Sequence, residues 1–409
     1  MPIDATAHPH PTASASVRTL ARHPAFWAAI LGGLAFAVYH LSLPGPTPHD
    51  HYVRLADAFL HGRVDLRDSP IYLEVTRYQG RAFVMNPPFP AILLLPYVAL
   101  RGLAASQALA SHLTGAVAAA VTLLVAARLH PRARDYVWLG LLGAFGTILW
   151  YLAAVGSTWY FAHVVAVAAL TLGVLETLGR QRPWLLGIAV AAAYWSRLPT
   201  ILALPFVLIA TLPRWAPMAR GRRRLDLGYL IRLGTPVAAA LALNMLYNWV
   251  RFGTIADVAA ALRPGIFEEP WFQRGLFHPS YIPRHLRILF AALPVLVPYR
   301  PYLLVPWGGL AIWLTTPVFV YALRAPRTLE TLAAWAGILP VATANFLFGN
   351  PGVAQFGYRF ATDFYPLLFL LAARGMSPRV PPAARVLIAL GILVNAWGVF
   401  GTRLGWVAP

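Results

Sequence analysis

Long apolar runs, broken by short Arg-rich stretches, set the pattern of this 409-residue chain. They fall at 24–43, 106–127, 136–155, 158–178, 184–196, 198–213, 228–250, 305–323, 328–348, 361–373 and 384–400. Most approach or exceed the ~18 residues at which an apolar run reads as a membrane helix. The expectation is an all-α polytopic membrane protein with about eleven transmembrane helices. Segment 88–102, "PFPAILLLPYVALRG", is left out. As a helix it would cover only about 22 Å of a ~30 Å hydrocarbon core, so it reads as a helix lying at the interface.

Within 184–213 two short helices are expected, broken at Ser196-Arg197-Leu198-Pro199. An Arg in mid-bilayer is costly, and proline disfavours helix before it.

Composition agrees. Hydrophobic residues make up 59% and charged residues 11%, against about 25% charged in soluble domains. There is no Cys, so disulfide and thiolate chemistry are excluded. All 33 basic residues are Arg, and the formal net charge is +19. That charge does not mark a nucleic-acid binder, because the Arg cluster between apolar segments.

With the N-terminus inside, Arg18, Arg22, Arg128, Arg132, Arg134, Arg180, Arg182, the 214–224 cluster, Arg324, Arg327, Arg374, Arg379 and Arg385 are all cytoplasmic. The short outer connections keep Arg197, Arg359 and Arg403. This is the positive-inside bias. Counting 88–102 as a span would destroy it.

The expected organisation is a disordered cytoplasmic start at 1–23, a transmembrane domain at 24–400 and an external tail at 401–409. External loops 44–105 and 251–304 hold Asp50, Asp57, Asp65, Asp68, Glu74, Asp257, Glu268 and Glu269, more than half of the 14 acidic residues.

"PHDHYVRLADAFLHGRVDL" (48–66) is the most charged stretch beside a span. Tyr52, Leu55, Ala56, Phe59 and Leu60 share one helical face, with Arg54, Asp57 and His61 opposite. Gly62 is a stop. A short amphipathic helix lying on the membrane follows, with Asp50 as its N-cap or as a base at the membrane surface. The neighbours His49 and His51 suggest a metal triplet with Asp50. Adjacent side chains point apart, so no metal is assigned and a divalent ion is not favoured.

An Asp after the first membrane helix, then Tyr52 and a Y-x-x-L-A-x-x-x-L-x-G pattern, resembles the GT-C superfamily of membrane glycosyltransferases. That superfamily includes protein O-mannosyltransferases, lipid A aminoarabinose transferases and oligosaccharyltransferase catalytic subunits. "NPPFPAILLLPYVALRG" (86–102), "YNWVRFG" (247–253) and "QFGYRFATDFYPLLFLLAARG" (355–375) resemble bacterial members in order. The resemblance runs from about residue 24 to 400.

It implies transfer of a sugar, with inversion, from a polyprenyl-phosphate-linked donor lipid to a glycan, lipid or protein acceptor. The site would face outward from a bacterial cytoplasmic membrane. Asp50 stands where the family has its catalytic acid. Arg359 and Arg197 are the donor-phosphate candidates, since a guanidinium fork suits phosphate oxygens. An Arg359–Asp363 ion pair is the structural alternative for Arg359.

His163 stands near where some members carry a second acid, and also reads as a packed core histidine. His49, His51, Tyr52, Tyr358, Glu268, Glu269 and Trp271 complete the candidate substrate-binding set. No cofactor is expected, because the missing second acid near His163 argues against the metal-using members of the family. The competing classes are a transporter or lipid flippase, which would show repeat halves and mid-membrane charges, and a non-catalytic scaffold.

Overall fold

The computed structural model describes residues 23–405 apart from 71, 220 and 221. The expected disordered start, with Arg18 and Arg22, lies outside these residues but for its last position. So do 406–409 of the tail and part of the 214–224 Arg cluster.

Helices dominate. The core is α1 (Pro24–Ser42), α4 (Gln107–Leu129), α5 (Ala133–Phe145), α6 (Leu149–Val155) and α7 (Thr158–Thr177). The long segment 44–105 supplies α2 (His51–Leu60), a hairpin of β1 (Val75–Tyr78) and β2 (Arg81–Val84), and α3 (Phe89–Arg101). Next come α8 (Pro183–Tyr194), α9 (Leu204–Ala210) and α10 (Leu227–Phe252). The second loop carries α11 (Ile282–Ala291) and a hairpin of β3 (Val295–Leu296) and β4 (Leu303–Leu304). The chain closes with α12 (Ile312–Thr315), α13 (Leu329–Leu347), α14 (Tyr365–Gly375) and α15 (Pro382–Arg403).

Among the described residues, five helices are long and apolar enough to cross a membrane, and six if the bent α5–α6 pair counts as one. In α1 and α10 only 28% of the apolar window is buried. Such bare apolar faces suit lipid rather than water, and the chain is a multi-pass membrane protein.

Small residues bring the helices close, as membrane packing requires. A Cβ added at Gly143 of α5 would lie 2.5 Å from the Thr122 side chain of α4.

Three expectations change. The run 305–323 is not one helix: it leaves β4 as extended chain, makes the single turn α12, then a 3-10 helix at Pro317–Arg324. Pro306, Pro317 and the Gly308-Gly309 pair, with Gly309 at φ +86°, interrupt it. The run 136–155 is bent by 46° between α5 and α6. In α2, Val53 is fully buried while Leu60 is 45% exposed, and the buried face packs on α3 rather than lying bare on the membrane. Gly62, at φ +67°, follows the end of α2.

Candidate functional site

The start of α2, which carries Asp50, is pinned to the start of α7. Thr158 Oγ1 donates to the His49 carbonyl at 2.8 Å, and its backbone N–H reaches the same carbonyl at 3.1 Å. The His51 N–H donates back to Thr158 Oγ1 at 3.1 Å. Gln107, at the start of α4 and 1% exposed, completes the tether. Its Oε1 accepts from the Tyr52 N–H at 3.0 Å, and its Nε2 donates to the carbonyls of His49 and Gly156, each at 3.0 Å.

Asp50 occupies the N-cap position but makes no side-chain cap bond. Its Oδ1 accepts from Arg54 Nε at 2.8 Å, and its other oxygen accepts no hydrogen bond from the described residues. The carboxylate is 20% exposed, so it can meet an incoming group.

His51 is buried and bonds Thr158 Oγ1 at 2.9 Å. Burial, helped by His49 and Arg54, pushes its pKa down to about 4, so it is neutral at pH 7. His49 packs against Trp159, with ring centroids 4.8 Å apart and the planes tilted by 57°. Burial lowers its pKa, against the charges of Glu74 and Asp50.

A second polar cluster lies deeper. Asp363, fully buried, accepts from His163 Nδ1 at 2.8 Å, Arg197 Nη2 at 3.0 Å and Asn345 Nδ2 at 3.1 Å. Arg197 Nε also reaches both carboxylate oxygens, at 3.2 and 3.3 Å. A carboxylate only accepts, so His163 carries its proton on Nδ1, and its buried Nε2 has no partner. His163 lies five residues beyond Thr158, about 7–8 Å further along α7. The cluster joins α7, α13, the 3-10 turn at Arg359–Phe364 and the break after α8. The Phe89 N–H bonds the Trp195 carbonyl at 3.1 Å, linking that break to α3.

The alternative Arg359–Asp363 ion pair is not formed, because Asp363 is taken by Arg197 and His163. Arg359 has no carboxylate in ion-pair contact among the described residues. Its Nη1 reaches the Val353 carbonyl and Gln355 Oε1, each at 3.2 Å. Its Nε is buried without a partner, and its plane lies against Tyr160 and Phe360.

Glu74 lies close enough for its charge to act on both Arg359 and His49. The sequence does not single it out, since Glu74 stands just before β1 and only the folding of segment 44–105 sets it near His49. Glu74 and Glu269 both pair with Arg263, tying the two long loops together.

Other candidates are engaged differently. Tyr52 is fully buried in the α2–α3 core. The His285 Nε2 contact with the Phe348 carbonyl, at 2.7 Å, needs a proton on Nε2. Burial pushes the His285 pKa down to about 4, so its Nδ1 accepts the Tyr358 hydroxyl proton at 2.7 Å. Tyr358 is thus a buried strut. Glu268 is exposed, and Trp271 lies beneath the Arg284 guanidinium at 5.5 Å. Among the described residues no group of three or more His, Asp or Glu is arranged to hold a metal ion.

The sequence matches no known family profile and no curated protein. Solved structures do match. ArnT from Cupriavidus metallidurans bound to undecaprenyl phosphate aligns over 92% of this chain and 65% of its own, at 18% identity and TM-score 0.53. Its apo state gives 92%, 64%, 17% and 0.52. The apo Archaeoglobus fulgidus oligosaccharyltransferase aligns over 94% of this chain and 57% of its own, at 13% identity and TM-score 0.47. This chain spans less than two thirds of the length of each. The likeness to ArnT shows the fold, and it is the fold expected from the resemblance to the GT-C membrane glycosyltransferases.

Proposed function

We propose that the chain is a membrane glycosyltransferase that moves a hexosyl or pentosyl group from a polyprenyl-phosphate-linked donor to an extracytoplasmic acceptor. The polyprenyl phosphate comes from the likeness to ArnT, whose structure holds undecaprenyl phosphate. In this reading the domain 24–400 crosses a bacterial cytoplasmic membrane about eleven times, several crossings being short or broken helices. The N-terminus is inside, and loops 44–105 and 251–304 face outward. The acceptor is a glycan, lipid or protein.

Asp50 takes the acceptor hydroxyl's proton through its open oxygen. The acceptor oxygen bonds the anomeric carbon as the bond to the lipid phosphate breaks, and the configuration inverts. Arg359 receives the negative charge that collects on the departing phosphate. Arg197 is a weaker candidate for that role, since Asp363 already holds it.

The observation that carries the reading is Arg359: a guanidinium with a buried, unpartnered Nε and no carboxylate in ion-pair contact among the described residues, flanked by aromatic rings. A cation left so is poised for an anion. The test is incubation of the purified protein in lipid with a panel of polyprenyl-phosphate sugars and membrane acceptors. Released polyprenyl phosphate supports the reading.

A further inference from the structure

The β3–β4 hairpin is apolar on both faces. Consecutive strand residues point to opposite sides, yet Val295 is 51% and Leu296 81% exposed. Leu303, opposite Leu296 in the register, is exposed as well. Tyr299 and Tyr302 at the tip and Trp307 after β4 add exposed aromatic surface. On the preceding helix α11, Phe290 is exposed on the same run of chain.

A protein partner laid on a two-stranded ribbon covers one face. A solvent covers both, and water is the wrong solvent for this one.

Charge narrows the choice. Residues 270–329 contain no Asp or Glu, while Arg284, Arg287 and Arg300 lie on or next to α11 and the hairpin. Tyr and Trp with Arg and no acids is the composition of the bilayer interface, where phosphates meet acyl chains. Position agrees: the hairpin's base is tied beside the candidate site. The Ala311 N–H bonds the Ala292 carbonyl at 2.9 Å, and the Leu310 N–H bonds the Phe356 carbonyl at 2.9 Å, three residues before Arg359.

Two facts fix the pose. A lone pair of strands has unpaired backbone edges, which the hydrocarbon core does not tolerate. Arg300 at the tip is exposed and belongs with phosphates. We infer that the 292–308 hairpin and the exposed face of α11 lie along the headgroup–acyl boundary of the bilayer, as an interfacial wedge beside the candidate site. The inference rests on the multi-pass membrane reading and not on transfer activity.

The chain has no Cys, so single-cysteine variants label cleanly. Leu296→Cys and Leu303→Cys would carry an environment-sensitive dye in the full-length protein, reconstituted in vesicles of phosphatidylethanolamine and phosphatidylglycerol. Asp68→Cys is the water-facing control.

The expected result is a blue-shifted emission at 296 and 303 and quenching by spin-labelled lipids at ~5–10 Å below the phosphates. Aqueous iodide should fail to quench these labels while quenching the one at 68. Iodide quenching at 296 and 303 equal to that at 68 overturns the inference. So does protection with no lipid quenching, accompanied by cross-linking of Leu296→Cys between copies, which would make the hairpin a protein interface. Two labelled positions on one hairpin guard against a single site disturbed by its dye.

Discussion

Asp363 receives both Nε and Nη2 of Arg197 while also accepting from His163 and Asn345, so one fully buried carboxylate ties four parts of the chain. Removing the carboxylate leaves a cation without its counter-charge. Asp363→Ala should destabilise the protein by about 3 kcal/mol, the low end for a buried pair because Arg197 is 20% exposed. Thermal unfolding in detergent reads it. Arg197→Met added to Asp363→Ala should recover part of the loss, since the stranded charge is gone. Purely additive losses would mean the pair is not coupled.

Arg359 offers the opposite balance. It has no carboxylate in ion-pair contact to lose, so Arg359→Ala should cost less stability than Asp363→Ala, about 1 kcal/mol for its contacts with Val353 and Gln355. Binding of undecaprenyl phosphate should weaken about tenfold or more, as expected for losing a charge-assisted hydrogen bond. Arg359→Lys should fall between, because it keeps the charge and loses the fork. Equal binding by all three proteins would remove Arg359 from the phosphate site.

Gln107 holds Asp50 in place without touching a reacting group. Gln107→Glu can still accept from the Tyr52 N–H, but it sets a carboxylate against the carbonyls of His49 and Gly156. The cost should be about 1–3 kcal/mol, together with a fall in transfer rate. Wild-type stability and rate would show that the start of α2 is held by Thr158 alone.

His51 gives a pH dependence of definite sign. Its folded pKa of about 4 lies below the ordinary 6.5, so between these values the unfolded chain takes a proton that the folded chain refuses. Stability is therefore complete above pH 6.5 and is lost as pH falls toward 4, by roughly 3 kcal/mol. His285 adds a loss of the same sign. Unfolding midpoints across this range should show the fall, and His51→Gln should make it shallower. An unchanged slope in that variant would assign the effect elsewhere.

Local chemistry explains what the sequence could show. The membrane character, the helix break at Arg197 and the helix after Asp50 follow from hydropathy, proline and 3.6-residue spacing. The pairing of Asp363 with Arg197 crosses 166 residues and leaves no local trace, while the nearby Arg359–Asp363 spacing suggested the wrong partner. Glu74 and Gln107 were missed for the same reason. The run 305–323 is apolar enough for a helix, but hydropathy does not register Gly308-Gly309 and Pro317, which break it.

Asp50 carries the central claim, and one comparison tests it. The purified protein and Asp50→Asn would be assayed in lipid with the donor on which the wild type is active, following both sugar transfer and donor binding. A loss of about 10² or more in transfer, with donor binding retained, is the predicted result. Equal transfer by the two proteins would contradict it, leaving Asp50 as no more than the start of a helix.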